Sequence, residues 1–131
     1  MATVSLLEYD EMSPEAQAVI DEIKSARGLD DVNNFWKALA HDPASLRRIW
    51  DGLKQVMGPG AIDPLTKEMI YVAVSAVNNC DYCLHSHTAS AKAKGMTEAQ
   101  HHELLAIVAM AAQTNMLANA MKVPVDDQFR K

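Results

Sequence analysis

Apolar residues recur along this chain at helical spacing, and polar punctuation marks where each run starts and stops. Ser13-Pro14 opens a segment that ends near Gly28, and Asp42-Pro43 opens another that ends at Gly58-Pro59-Gly60. In both, an oxygen-bearing side chain precedes a proline, which the first turn of a helix tolerates because the N–H it lacks has no intrahelical partner there. Between them, 33–40 reads as a short helix carrying Phe35, Trp36 and Leu39, closed by the Asp-Pro dipeptide that begins the next.

Asp63-Pro64 repeats the start signal, and Leu65, Met69, Val72, Ala73, Ala76 and Val77 follow until Asn78-Asn79 interrupts. A fifth helix is predicted to begin within 79–81 and to run to Gly95, with Lys92 and Lys94 in its last turn, where the helix dipole favours positive charge. Thr97-Glu98-Ala99-Gln100 matches a capping box, and Leu104, Leu105, Val108, Ala111, Ala112, Met116 and Leu117 then fall on one broad face up to Pro124. That last helix, rich in Ala and Met, is expected to belong to the intrachain core, with an oligomer interface as the alternative. No stretch shows period-2 alternation, an internal repeat or a linker. The expectation is an all-α fold, a compact bundle of about six helices forming a single domain over 1–131.

Composition narrows the function classes. The net charge is −5, which leaves no basic footprint for a phosphate backbone. The longest apolar stretch, around 69–77, is about half of the roughly 18 residues a membrane helix requires. The first residues reach Glu8, Asp10 and Glu11 with neither a basic nor a sustained apolar region, so the compartment is read as cytoplasmic. There the glutathione pool keeps ordinary thiols reduced, and two cysteines are not expected to act as a passive staple.

Their spacing suggests chemistry. Cys80-Asp81-Tyr82-Cys83 is a Cys-x-x-Cys pair at a helix start, where unpaired backbone N–H groups and the dipole favour thiolate. In a regular helix Cys80, Cys83 and His87 share one face while His85 points away. His87 follows Cys83 by one turn, close enough for the imidazole to take a thiol proton. Glu68 lies on the preceding helix, and a carboxylate beside His87 would orient the ring, giving a Glu-His-Cys relay. Against this stand the plainer readings, in which the cysteines are buried filler and Glu68 is a first-turn partner of its helix dipole. A metal site of Cys80, Cys83, His85 and His87, helped by His101 or His102, is disfavoured because His85 leaves the shared face. His101 and His102 read as solvated residues, and Trp36 and Trp50 as core rather than pocket lining.

The string Glu68, eleven residues, Cys80-x-x-Cys83, three residues, His87 resembles the motif of the carboxymuconolactone decarboxylase superfamily, in its alkyl hydroperoxidase D-like branch. The likeness extends loosely over 42–121. It implies a thiol-dependent peroxidase that assembles as a homotrimer or homohexamer and holds no bound cofactor or metal. In this pattern an organic hydroperoxide oxidises Cys83 to a sulfenic acid, Cys80 condenses with it, and His87 and Glu68 move the protons. An external dithiol, such as a lipoyl group or a thioredoxin-like donor, resets the pair. Tyr82 departs from the pattern, since the better-known peroxidase members carry a histidine between the cysteines. Two further readings stay open: a thiol-disulfide reductase or redox sensor without efficient peroxidase activity, and a decarboxylating lyase of the namesake type, which does not depend on a cysteine pair.

Overall fold

The computed structural model describes residues 2–130, which form six α-helices and two 3-10 turns without a strand. The helices are α1 (Pro14–Arg27), α2 (Asn34–Leu39), α3 (Pro43–Met57), α4 (Pro64–Val77), α5 (Asp81–Ala93) and α6 (Glu98–Ala120). The start signals form the caps they imply. Ser13, Asp42 and Asp63 sit in extended backbone and accept from the backbone N–H groups of Ala16, Ser45 and Thr66 at 3.2, 3.2 and 2.9 Å. Thr97 and Gln100 close the reciprocal capping box. Gly28 ends α1 at φ 63°, a left-handed conformation that glycine adopts without a Cβ penalty.

The chain divides into two compact units, Met1–Gly58 and Pro59–Lys131. In the first, α1 and α3 pack together with α2 against α3. Ile20, Ile23 and Leu46 are almost completely buried, and Trp36 meets Trp50 edge to face at 5.7 Å. Both tryptophans belong to this core. Each fully buried Ile or Leu contributes about 1.5–3 kcal/mol.

In the second unit, α4 and α5 form an antiparallel hairpin and α6 lies against α4. The inward stripe of α4 is Glu68, Val72 and Ser75, at i, i+4 and i+7, so two of its three buried positions are polar. The expected place of α6 in the intrachain core is corrected here: none of its residues is buried. His101, Leu104 and Val108 are half-covered, whereas 109–120 are exposed. Its apolar side chains surround the helix rather than gathering on one face, so a single neighbour covers only a narrow stripe. No helix among the described residues is long and apolar enough to cross a membrane.

Candidate active site

The connection between α4 and α5 fixes where the first cysteine stands. Asn78 ends α4, and Asn79 takes a left-handed φ of 54°, which asparagine tolerates better than most side chains. The Asn79 N–H donates to the carbonyl of Ala76 at 3.3 Å and the Cys80 N–H to that of Ser75 at 3.0 Å. These are the paired bonds of a Schellman ending, made with Asn in place of the usual Gly. Cys80 thus leaves one helix and caps the next, its carbonyl accepting from the Leu84 N–H at 2.9 Å.

As N-cap, Cys80 lies just outside the regular helix, at the end where orphan N–H groups collect. Its thiol is drawn below the ordinary range, first by the Cys83 side chain and then by the Cys83 backbone N–H. That N–H faces the sulfur without the geometry of a full cap hydrogen bond. Cys83 moves the opposite way. The Cys80 side chain beside it, burial and repulsion from negative charge on Cys80 push it up to about 11. The free thiols are therefore unequal, Cys80 being the more acidic of the two.

Behind the pair, Glu68 is 5% exposed and receives three donors. His87 Nδ1 lies 2.7 Å from Oε2, while the Ser90 hydroxyl and the Lys94 ammonium donate to Oε1 at 2.8 and 2.9 Å. Burial works to raise the carboxyl, but the hydrogen bonds from His87, Lys94 and Ser90 overcome it and hold the group below its usual value of 4.5. An ionised carboxylate only accepts, so Nδ1 carries the hydrogen and a neutral His87 keeps its lone pair on Nε2. Tyr71, from α4, stacks on the imidazole with ring centroids 3.7 Å apart and planes 18° apart.

The structure thus brings Glu68 and His87 together as the sequence suggested. Cys83 and His87 stand one turn apart on α5, but among the described residues no hydrogen bond joins His87 to either sulfur. His85 is exposed, His102 is exposed and His101 is half-covered. No three His, Cys, Asp or Glu side chains among the described residues converge as a metal site would require. Sequence reasoning missed Tyr71, Ser90 and Lys94. The signal for two of them was present: Ser90 and Lys94 continue the 80, 83, 87 spacing along the same face of α5. Tyr71 lies one turn beyond Glu68 on α4.

One all-helical scaffold thus carries a cysteine pair at the start of α5 and, one turn further along that helix, a histidine hydrogen-bonded to the buried Glu68. The sequence profile of the carboxymuconolactone decarboxylase family matches residues 43–126. The chain is similar to the alkyl hydroperoxide reductase AhpD of Anaeromyxobacter dehalogenans strain 2CP-1, 32% identical over 119 residues. That match takes in 82% of this chain and 61% of the relative, so the chain spans about three-fifths of the curated protein's length. A crystal structure described as the alkylhydroperoxidase AhpD core from Rhodospirillum rubrum superposes with a TM-score of 0.95 at 60% identity, covering 100% of this chain and 98% of that one. An uncharacterized peroxidase-related protein from Ralstonia eutropha, with an AhpD core, shares the fold at a TM-score of 0.52 and 20% identity, covering 96% and 93% of the two chains. The chain belongs to the carboxymuconolactone decarboxylase family, in its AhpD-like branch.

Proposed function

We propose that this protein is a thiol-dependent alkyl hydroperoxide reductase acting in antioxidant defence. The observation that carries the reading is the hydrogen bond between buried Glu68 and His87, on the helix that also bears Cys83. In the proposed cycle the Cys83 thiol first gives its proton to Nε2 of the neutral His87. The Cys83 thiolate then attacks the distal peroxide oxygen, the O–O bond breaks, and the departing alkoxide takes that proton back from the His87 imidazolium, leaving Cys83 sulfenic acid, an alcohol and neutral His87. Cys80 then attacks the Cys83 sulfur, and the hydroxyl leaves as water with the remaining thiol proton. An external dithiol reduces the disulfide and restores both thiols. No bound cofactor or metal is needed.

Cytoplasmic residence and homotrimers or homohexamers belong to the same reading. The exposed apolar residues Ile107, Met110, Met116 and Leu117 of α6 support assembly with further copies, and light scattering that gives a monomer mass would count against it.

The test is consumption of cumene hydroperoxide by the reduced protein with dihydrolipoamide or dithiothreitol, beside Cys80→Ser and Cys83→Ser. Turnover by wild type, lost in both variants, is expected. Absence of turnover in a protein whose disulfide still cycles would transfer the reading to a thiol-disulfide reductase or redox sensor. One observation favours that second reading: Cys80 is the more acidic thiol, while the Cys83 thiol is held up to about 11.

A further inference from the structure

Ser90 and Lys94 complete the Glu68 network on the side away from the cysteines. A carboxylate on a glutamate side chain can rotate about its last bond, so a partner on one oxygen does not by itself fix the other. In Glu68 both oxygens are assigned. Oε2 takes His87, whereas Oε1 takes the Ser90 hydroxyl at 2.8 Å and the Lys94 ammonium at 2.9 Å. Lys94 also donates to the Ser90 oxygen at 2.8 Å, closing a ring of three hydrogen bonds around Oε1. Donors and acceptors balance: the hydroxyl gives its one hydrogen to Glu68 and accepts from the ammonium.

The charges balance as well. A carboxylate that is 5% exposed needs a countercharge close by. Were His87 the only candidate, losing its proton would leave Glu68 uncompensated each time the imidazole acted as an acid. Lys94 keeps its charge throughout such a cycle. From α4, Tyr71 stacks on the imidazole; from α5, His87 and Lys94 face Glu68; and no α6 side chain among the described residues lies within hydrogen-bond or ion-pair distance of it.

We propose that Lys94 and Ser90 are positioning residues of this site: they occupy Oε1 of Glu68 and supply its permanent countercharge, so that Oε2 stays aimed at His87 Nδ1–H while the imidazole gains and loses its other proton. The consequence for turnover rests on the peroxidase reading above. The positioning itself does not.

The experiment uses the full reduced chain as wild type, Lys94→Met, Lys94→Arg and Ser90→Ala. Carbon-13 resonances follow the Glu68 carboxyl titration, assigned with Glu68→Gln, and proton resonances follow the His87 ring N–H. In Lys94→Met the Glu68 midpoint is expected to rise by about one pH unit, and the His87 Nδ1–H resonance to broaden through exchange. Lys94→Arg should restore both, and Ser90→Ala should shift them in the same direction by less. In an active enzyme, kcat for cumene hydroperoxide should fall about tenfold in Lys94→Met with KM unchanged. An unmoved Glu68 midpoint and ring N–H in both Lys94→Met and Ser90→Ala overturns the positioning role, and so does an unchanged kcat in an enzyme that turns over. If the resonances move as expected while wild type consumes no hydroperoxide, the positioning stands and the peroxidase reading fails.

Discussion

The thiols of Cys80 and Cys83, three residues apart, drive each other in opposite directions: Cys80 is acidified, and Cys83 is pushed up to about 11. The sequence had suggested two thiols sharing a helix terminus. They are unequal because Cys80 caps the helix while Cys83 sits in its first turn, where burial also raises its thiol.

That inequality predicts which sulfur reacts first with an alkylating agent. Limiting iodoacetamide at neutral pH should label Cys80 well ahead of Cys83, as peptide mass mapping would show, since thiolate is the reactive form. In Cys83→Ala the neighbouring thiol is gone, the Cys80 thiol rises toward the ordinary range, and its labelling slows at the same pH. In Cys80→Ala, Cys83 loses the neighbouring side chain and charge that raise it, so its reactivity should begin at lower pH than in wild type. Earlier labelling of Cys83 in the wild-type protein would contradict this account.

Glu68→Gln should destabilise the protein by about 1–3 kcal/mol at neutral pH, because an amide cannot accept from His87, Lys94 and Ser90 as a carboxylate does. The folded carboxyl lies below its ordinary value of 4.5, so its ionised network adds stability above that pH and loses it as pH falls through the folded value. Thermal unfolding should therefore show the gap between wild type and Glu68→Gln narrowing in acid. A gap constant from neutral pH to below the carboxyl range would show that the ionised network is not its source.

Tyr71 holds the imidazole from the α4 side through a stack 3.7 Å between centroids. Such ring pairs contribute about 0.5–1.5 kcal/mol beyond their buried area. Tyr71→Phe should keep the upfield ring-current shift of the His87 proton resonances and unfold near wild type. Tyr71→Ala should abolish that shift and lower thermal stability. Equal His87 spectra in the two variants would show that the stack does not orient the ring.

The turn that delivers Cys80 depends on the left-handed backbone at Asn79. Replacing Asn79 by Ala should cost less than the roughly 1–2 kcal/mol that a Cβ costs there relative to glycine, since Asn79 already carries a Cβ and only its short polar side chain is lost, as denaturant unfolding would show. Asn79→Gly should match or exceed wild type. Equal losses for Ala and Gly would indicate that the asparagine side chain matters rather than its backbone.

Much of the local structure was legible along the chain. Helix starts at Ser13, Asp42, Asp63 and Thr97 depend on groups within a few residues of one another, so an oxygen, a proline or a capping box suffices to place them. The shared face of Cys80, Cys83 and His87 follows likewise from helical spacing. Harder to read were Ser90 and Lys94, whose place on the same stripe was visible but whose target was not. Lys94 could be read only as a charge suited to a helix end until α4 brought Glu68 to within 2.9 Å of it.

The same division holds for packing. Sequence by itself determined an all-α chain, its six helices and the cysteine motif, because each follows from short-range geometry. Only tertiary structure decided that α6 leaves its apolar surface uncovered, since periodicity counts apolar residues without saying which neighbour is near enough to cover them. It alone also assigned one oxygen of Glu68 to His87 and the other to Ser90 and Lys94. A carboxylate's partners are set by which helix folds back beside it, and that contact is made across nineteen to twenty-six residues of chain.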